Sequence, residues 1–332
     1  MSADLSANAA PTEDQFAFTD AYEQDHIPPR DPEADRLFQY ARWRCQKNIL
    51  EEDPAVYAEV ERLYRIAAAW GHDKAAHNLA FMMMRGLTIN DDRMTKPVDI
   101  AEGLIERGIP HGYALMGYLL DTGCGVEIDQ DVSLRYFRRA ADLGDPQAQA
   151  FVGEQLHSMG IGNPVPYKVG KAMKRCAAEQ GHAQSAIDTA IGLKKEGQYR
   201  DALKYFQLAV RAGSPKGAIW LKHAFSGPAP EDRMNYMGQA KDEERAARYE
   251  RLWNILSDYD CLSITVDEIE QIVPLPPAEL PAWDGQIEWV RKWEKDQAPP
   301  LPAKSRIEEM ARAKGLDPET GLPQNAALCG GE

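Results

Sequence analysis

The sequence predicts an all-α protein, a superhelical solenoid of helical hairpins closed by a Pro-rich C-terminal cap. A glycine followed by two or three polar or Pro residues and a fresh helical run recurs five times, at Gly71, Gly108, Gly144, Gly181 and Gly213. The spacings of 37, 36, 37 and 32 residues approach one fixed period, of the size used by stacked helical repeats. Fixed offsets from each glycine carry one kind of residue. Four positions after it stand Ala75, Gly112, Ala148, Ser185 and Gly217, all small; seven or eight before it stand mostly large residues such as Leu63–Tyr64, Tyr136–Phe137 and Tyr205–Phe206.

Small residues at a fixed helical position let two antiparallel helices approach closely, and large apolar ones two turns away fill the space between neighbours. The glycine itself fits the left-handed C-cap that ends one helix. Two residues on, Pro110, Pro146 and Pro215 fall at a first helical position, where the missing N–H costs nothing. A hairpin of this size cannot bury its own apolar face, so successive hairpins must stack.

In chain order, residues 1–35 hold nine acids and one base, Arg30, and read as an acidic, flexible N-terminal arm. Residues 36–225 are the repeat solenoid. Asp35–Asn48 and Pro54–Trp70 form its first hairpin, with Asp53-Pro54 as an entry signal. An insertion, Asn90 to Pro97, interrupts the unit ending at Gly108, while Lys195 to Tyr199 joins the helices of the short unit ending at Gly213 directly. Residues 226–332 are a C-terminal helix and Pro-rich capping region. Ser226-Gly227-Pro228-Ala229-Pro230 breaks the pattern, and a charged helix then runs from about Asp242 to Asp258, with Ala247, Leu252, Ile255 and Leu256 as its buried stripe. Seven prolines follow within residues 271–302, and short helices are expected near Gln286–Lys295 and Ser305–Lys314. Because Ile272, Val273, Leu275, Leu280, Trp283 and Trp289 need burial, this tail is expected to drape over the last hairpins.

The formal net charge of −14, from 38 bases and 52 acids, repels phosphate backbones and argues against nucleic acid or anionic lipid as a partner. No apolar run approaches the roughly 18 residues of a membrane span. The first residues have neither the basic nor the apolar region of a signal peptide, which is also how a mature exported protein with its leader replaced would begin. Cys45, Cys124, Cys176, Cys261 and Cys329 are scattered without a metal-pair spacing.

Nothing in the sequence spells catalysis. His72 and His182 each follow a repeat glycine and read as helix-start residues; His72 and His77, five apart, miss the spacing needed to share a metal from one helix face. The stretch from Gly162 to Gly170-Lys171-Ala172 lacks the first glycine and the hydroxyl of a phosphate loop. The expectation is a binding protein with no enzymatic activity, no cofactor and no metal. Its partner-binding face is the groove onto which the repeat frame projects Phe81, Met84, Arg85, Tyr118, Asp121, Glu154, His157, Ile191, Lys194 and His223. In the run Phe81-Met82-Met83-Met84, Met83 falls at a core position; Phe81 and Met84 either pack in the core or contact a ligand. The bland reading of the whole list is a solvated lining.

Residues 116–126, Met-Gly-Tyr-Leu-Leu-Asp-Thr-Gly-Cys-Gly-Val, followed by Tyr136-Phe137, Ala140-Ala141 and Gly144, closely resemble a SEL-one-like repeat. A second copy runs from Val152-Gly153 through Gly160-Ile161-Gly162 to Ala177-Ala178 and Gly181. Repeats combined with this tail resemble a family seen in bacterial loci encoding secreted antibacterial lipases. That resemblance implies an immunity protein which binds and occludes a type VI secretion lipase of the phospholipase D type, and hence a periplasmic location, with a cytoplasmic one as the alternative. An adaptor scaffold assembling an envelope or signalling complex is the competing reading.

Overall fold

The computed structural model describes residues 16–89, 96–160 and 163–324. Its helices are α1 (Pro32–Lys47), α2 (Pro54–Ala69), α3 (Asp73–Met84), α4 (Lys96–Glu106), α5 (Pro110–Thr122), α6 (Gln130–Asp142), α7 (Pro146–Met159) and α8 (Pro164–Glu179). There follow α9 (Ala183–Lys195), α10 (Tyr199–Arg211), α11 (Pro215–Phe225), α12 (Glu243–Asp258), α13 (Ile269–Ile272), α14 (Glu288–Glu294) and α15 (Lys304–Ala313). Among the described residues there is no strand, only one isolated antiparallel bridge between Leu316 and Pro323. The fold class is the all-α hairpin solenoid that the repeats imply. No helix among the described residues is long and apolar enough to cross a membrane.

One turn recurs and explains the period. Gly71, Gly108, Gly144, Gly181 and Gly213 all have left-handed backbones, with φ from +72° to +93°. At four of these turns two N–H groups reach back to carbonyls of the ending helix: Gly71 to Ala68 and His72 to Ala67, likewise Gly181 to Ala178 and His182 to Ala177, and the same at Gly108 and Gly213. This is the Schellman closure, and it satisfies carbonyls the helix leaves orphaned. The residue after the glycine caps the next helix. His72, Asp145, His182 and Ser214 accept the backbone N–H of Ala75, Ala148, Ser185 and Gly217. The small residue four after the glycine thus has two duties, a bond to the cap and a close helix contact.

The chain divides into two compact units, one of Glu23–Ala140 with Val290–Glu332, the other of Met1–Tyr22 with Ala141–Trp289. In the first, Leu37 and Phe38 of α1, Leu63 and Tyr64 of α2, and Leu79, Met82 and Met83 of α3 share a core with Ile307, Met310 and Ala311 of α15. The last part of the tail thus packs on the first hairpin and not on the last ones as expected, whereas Ile272 and Val273 do meet α10 and α12. Trp70 Nε1 donates to the Met310 carbonyl at 3.1 Å, and Arg306 grips the Glu33 carboxylate with bonds of 2.6–3.1 Å. A second core joins Ala76 and Ala80 of α3 with Leu104 of α4 and Leu115, Met116 and Leu119 of α5.

In the other unit, α7 and α8 cross at Gly153 and Gly170, where neither helix has a side chain. The buried stripe of α12 is Tyr249, Leu252, Ile255 and Leu256; Ala247, expected in it, is exposed, since Arg245 and Arg248 occupy the inward positions. Those arginines explain how the Pro-rich segment is held. Proline offers a carbonyl but no N–H, so such a stretch has surplus acceptors. Arg245 donates to the carbonyls of Pro274 and Ala278, Arg248 to those of Ile272 and Pro281, and Gln207 and Tyr249 both to that of Val273. Ile272 and Val273 are buried, whereas Leu275, Leu280, Trp283 and Trp289 are half-buried.

Of the expected arm, residues 1–15 lie outside the described residues, as do Asn90 to Thr95 of the insertion, Ile161-Gly162 and Cys329. Within residues 16–35 several side chains are anchored to helices. Asp20 and Tyr22 bind α8 in one unit, Glu23 and Arg30 bind α5 and α3 in the other, and α1 already begins at Pro32.

Candidate functional site

In the unit of residues 23–140, the predicted face is partly apolar. Phe81 and Met84 are half-buried against the second core, so they pack and remain accessible at once. The Phe81 ring lies 5.5 Å from that of Tyr118, which is 42% exposed, and 4.8 Å from His77. Arg85 and Asp121 stand exposed at the ends of α3 and α5.

Beneath this face is a buried polar cluster the sequence did not reveal. Arg30 clasps Asp73 with two bonds, 2.6 and 2.8 Å, and the Asp73 side chain is 1% exposed. His111 sits between Glu23, at 2.7 Å, and Asp73, at 3.6 Å. Burial by itself would push the Asp73 carboxyl up, but the Arg30 guanidinium and the His111 and His72 rings together hold it below its ordinary value. Burial, with help from His111, pushes the His77 imidazole down to about 4. Burial also lowers His72, against the pull of Asp35. The arrangement fastens the segment before α1 onto the starts of α3 and α5.

In the other unit, each predicted residue of α7, α9 and α11 has its own surroundings. Glu154 is drawn to Lys174 of α8, whose ammonium also holds Asp188 of α9 at 3.0 Å; those two carboxylates outweigh burial and keep the lysine charged. The Lys194 ammonium donates to the Arg233 carbonyl at 2.6 Å and lies 5.7 Å over the Trp220 ring. The His157 ring lies 4.8 Å from that of Tyr167, and its buried Nδ1 has no partner among the described residues. Ile191 is half-buried and His223 exposed.

His157, Tyr167 and Lys174 instead belong to a cavity of about 660 Å³ framed by α8, α9 and α10. Lys168, Lys171, Arg175 and Lys204 give it basic groups, and Leu193, Leu208 and Tyr205 give it apolar surface. Its lining includes Glu196 and Gln198 of the short α9–α10 connection. Lys174 stands seven before Gly181, an offset that mostly carries large residues, while Lys168, Lys171 and Lys204 fall on no repeat offset.

Residues 217–324 match a family model described as a domain of unknown function, DUF6396. No curated protein matches the chain. Among solved structures, it is similar to Pseudomonas aeruginosa 5086 (PA5086), at 26% identity over 78% of this chain and 95% of that one, with a TM-score of 0.56. Immunity protein Pa5087 from Pseudomonas aeruginosa is 26% identical over 79% of this chain and 95% of its own, with a TM-score of 0.55. Immunity protein PA5088 from the same organism, 24% identical over 78% of this chain and 94% of its own, shares the fold with a TM-score of 0.55. Over more than three-quarters of its length, then, this helical-repeat chain is similar to proteins whose names call two of them immunity proteins.

Proposed function

We propose that the chain is an immunity protein that neutralises a phospholipase effector of the D type, delivered by type VI secretion, by binding it and occluding its active site. The observation that carries this reading is its likeness to immunity protein Pa5087, at 26% identity over 79% of the chain. Charge distribution supports it. Residues 1–35 carry −8 and residues 226–332, with 21 acids and 12 bases, carry −9, while the repeats between them carry +3. A site that holds a phosphodiester is cationic, so acidic ends are drawn to its entrance and speed encounter. The half-buried Phe81 and Met84 with exposed Tyr118 supply apolar contact of the kind that anchors an interface. Action is stoichiometric binding rather than turnover, in the periplasm, where a lipase arriving from outside meets membrane phospholipid.

The test mixes the purified chain with a purified phospholipase D-type effector, the product of a neighbouring gene. Phospholipid hydrolysis should stop at one equivalent, and the association rate should fall as salt screens the attraction over about 10 Å at 0.1 M. Binding without inhibition would leave an adaptor scaffold, and no binding would remove the reading. Fractionation of the native gene product checks the compartment.

A further inference from the structure

We propose that the cavity framed by α8, α9 and α10 is a second binding site, and that it takes an extended peptide segment of a protein partner in which carboxylate side chains alternate with aromatic or aliphatic ones. The inference rests on the reading that this chain acts by binding protein, but, His157 apart, it concerns residues outside the predicted face.

The donor and acceptor inventory of the wall decides the ligand's charge. Glu179 accepts the Tyr22 hydroxyl on one oxygen, at 2.6 Å, and the Tyr205 hydroxyl on the other, at 2.7 Å. Asp188 accepts Lys174 and Gln184, and Glu196 accepts Lys171 and Gln198, again one donor on each oxygen. Asp201 accepts Lys204 at 2.8 Å. Each of these acids thus already holds at least one donor. Each ammonium has three hydrogens, Lys171 and Lys204 each give one, and exposed Lys168 has no ion-pair partner among the described residues. With five bases, Lys168, Lys171, Lys174, Arg175 and Lys204, against four acids, Glu179, Asp188, Glu196 and Asp201, the wall favours a carboxylate-bearing guest. Ala172, Leu193 and Leu208, with the rings of Tyr167 and Tyr205, add apolar surface that a free inorganic anion would leave wet.

The chain itself displays this mode of recognition on the same wall. Arg175 and Glu179 both line the cavity, and between them they hold the segment Asp20-Ala21-Tyr22. Asp20 accepts Arg175 at 2.6 Å, the Ala21 carbonyl accepts Gln149 at 2.9 Å, and Tyr22 donates to Glu179. An acid, a backbone carbonyl and an aromatic hydroxyl in consecutive residues are read by one helix and its neighbour. The unfilled space beside that segment continues the same chemistry through Lys171, Lys168 and Lys204.

Gly192 makes the site testable. It lies in the helical interior of α9 and lines the cavity, and a Cβ built there meets nothing within 4 Å. A tryptophan at this position enters the cavity from an open point of its wall. The experiment measures anisotropy of a fluorescein-labelled peptide of alternating Asp and Phe against the full-length chain, with a Lys and Phe peptide as control. The acidic peptide should bind about tenfold or more tighter than the basic one, weaken as salt rises, and lose about tenfold in Gly192→Trp while the helical spectrum and melting midpoint hold. Lys168→Glu, an exposed substitution, should weaken it several-fold and serves alone if Gly192→Trp does not fold. Equal binding of the two peptides, no binding of the acidic one, or undiminished binding in the folded variants overturns the proposal. Effector inhibition is read separately: a chain that binds the acidic peptide and fails to inhibit the phospholipase keeps the cavity site and loses the immunity reading, and the reverse outcome does the opposite.

Discussion

A Cβ on Gly170 of α8 would stand 2.6 Å from the carbonyl oxygen of Gly153 in α7, and one on Gly153 would stand 3.0 Å from the carbonyl oxygen of Gly170. The two helices therefore touch backbone to backbone, and neither can carry a side chain there without separating. Gly170→Ala should destabilise by about 1–3 kcal/mol, as overpacking in a close-packed contact does. Gly192→Ala, in helix and in open space, should instead stabilise by about 0.5–1 kcal/mol through the loss of glycine's backbone freedom. Urea midpoints that moved in the same direction for both would refute this account of the crossing.

Arg248 donates to the carbonyls of Ile272 and Pro281 at 2.6 and 2.8 Å while bonded to Glu244 at 2.8 Å. Arg248→Met keeps much of the side-chain bulk and removes the donors. Leaving buried carbonyls unsatisfied costs about 1–3 kcal/mol. Cleavage within residues 272–285 by limited proteolysis should accelerate ahead of cleavage in the repeats. Unchanged protection of that segment would show that packing of Ile272 and Val273 alone holds it.

The pH dependence follows from the buried cluster. The unfolded chain protonates His77 near 6.5, but the folded chain does so only near 4, so between those values the unfolded state binds more protons and stability falls as pH falls. His72 and His182, also lowered by burial, act in the same sense. Asp73 acts further down. Its carboxylate stabilises the fold fully above the ordinary value of 3.8, and that stabilisation is lost as pH drops through the still lower folded value. His77→Gln should flatten the loss between pH 6.5 and 4, measured as urea midpoints at several pH values. A slope identical to that of the native chain would mean that the His77 ring protonates as readily in the folded state as in the unfolded one.

Met310 of α15 is 1% exposed and shares its core with Leu37 and Leu63. Met310→Ala should cost about 2–5 kcal/mol, the range for emptying a buried large side chain. The loss should appear in the thermal midpoint of the full-length chain. A change near zero would separate the tail from the first hairpin.

The repeat was legible because one turn imposes it. Gly71 and its equivalents need left-handed backbone, and Ala75 and its equivalents must be small and present an N–H to the cap, so both leave marks at fixed offsets. Charged partners leave no such mark. Arg30 and Asp73 are 43 residues apart, and no period links them, so the acidic arm read as solvated although part of it is anchored. Likewise Ala247 fitted an apolar stripe better than Arg248 did, because the acceptors that draw Arg248 inward are backbone carbonyls, which every residue carries and no sequence displays. Of the predicted face, Phe81 and Tyr118 meet, while Glu154 and Lys194 are engaged by Lys174 and the Arg233 carbonyl, partners outside the repeat frame.

The seating of α15 on α1 and α2 has a consequence for biosynthesis. The carboxylate of Glu33 waits for Arg306, 273 positions later, and Trp70 waits for the carbonyl of Met310, 240 positions later. At about 5–20 residues per second, a ribosome takes on the order of ten seconds to a minute to bridge such an interval. During that time the first hairpin has emerged with the side of its core that faces Ile307, Met310 and Leu316 still uncovered. The first hairpin is thus completed late, and a nascent chain stalled before residue 304 should present its uncovered apolar side to chaperones, whereas one released after residue 324 should not.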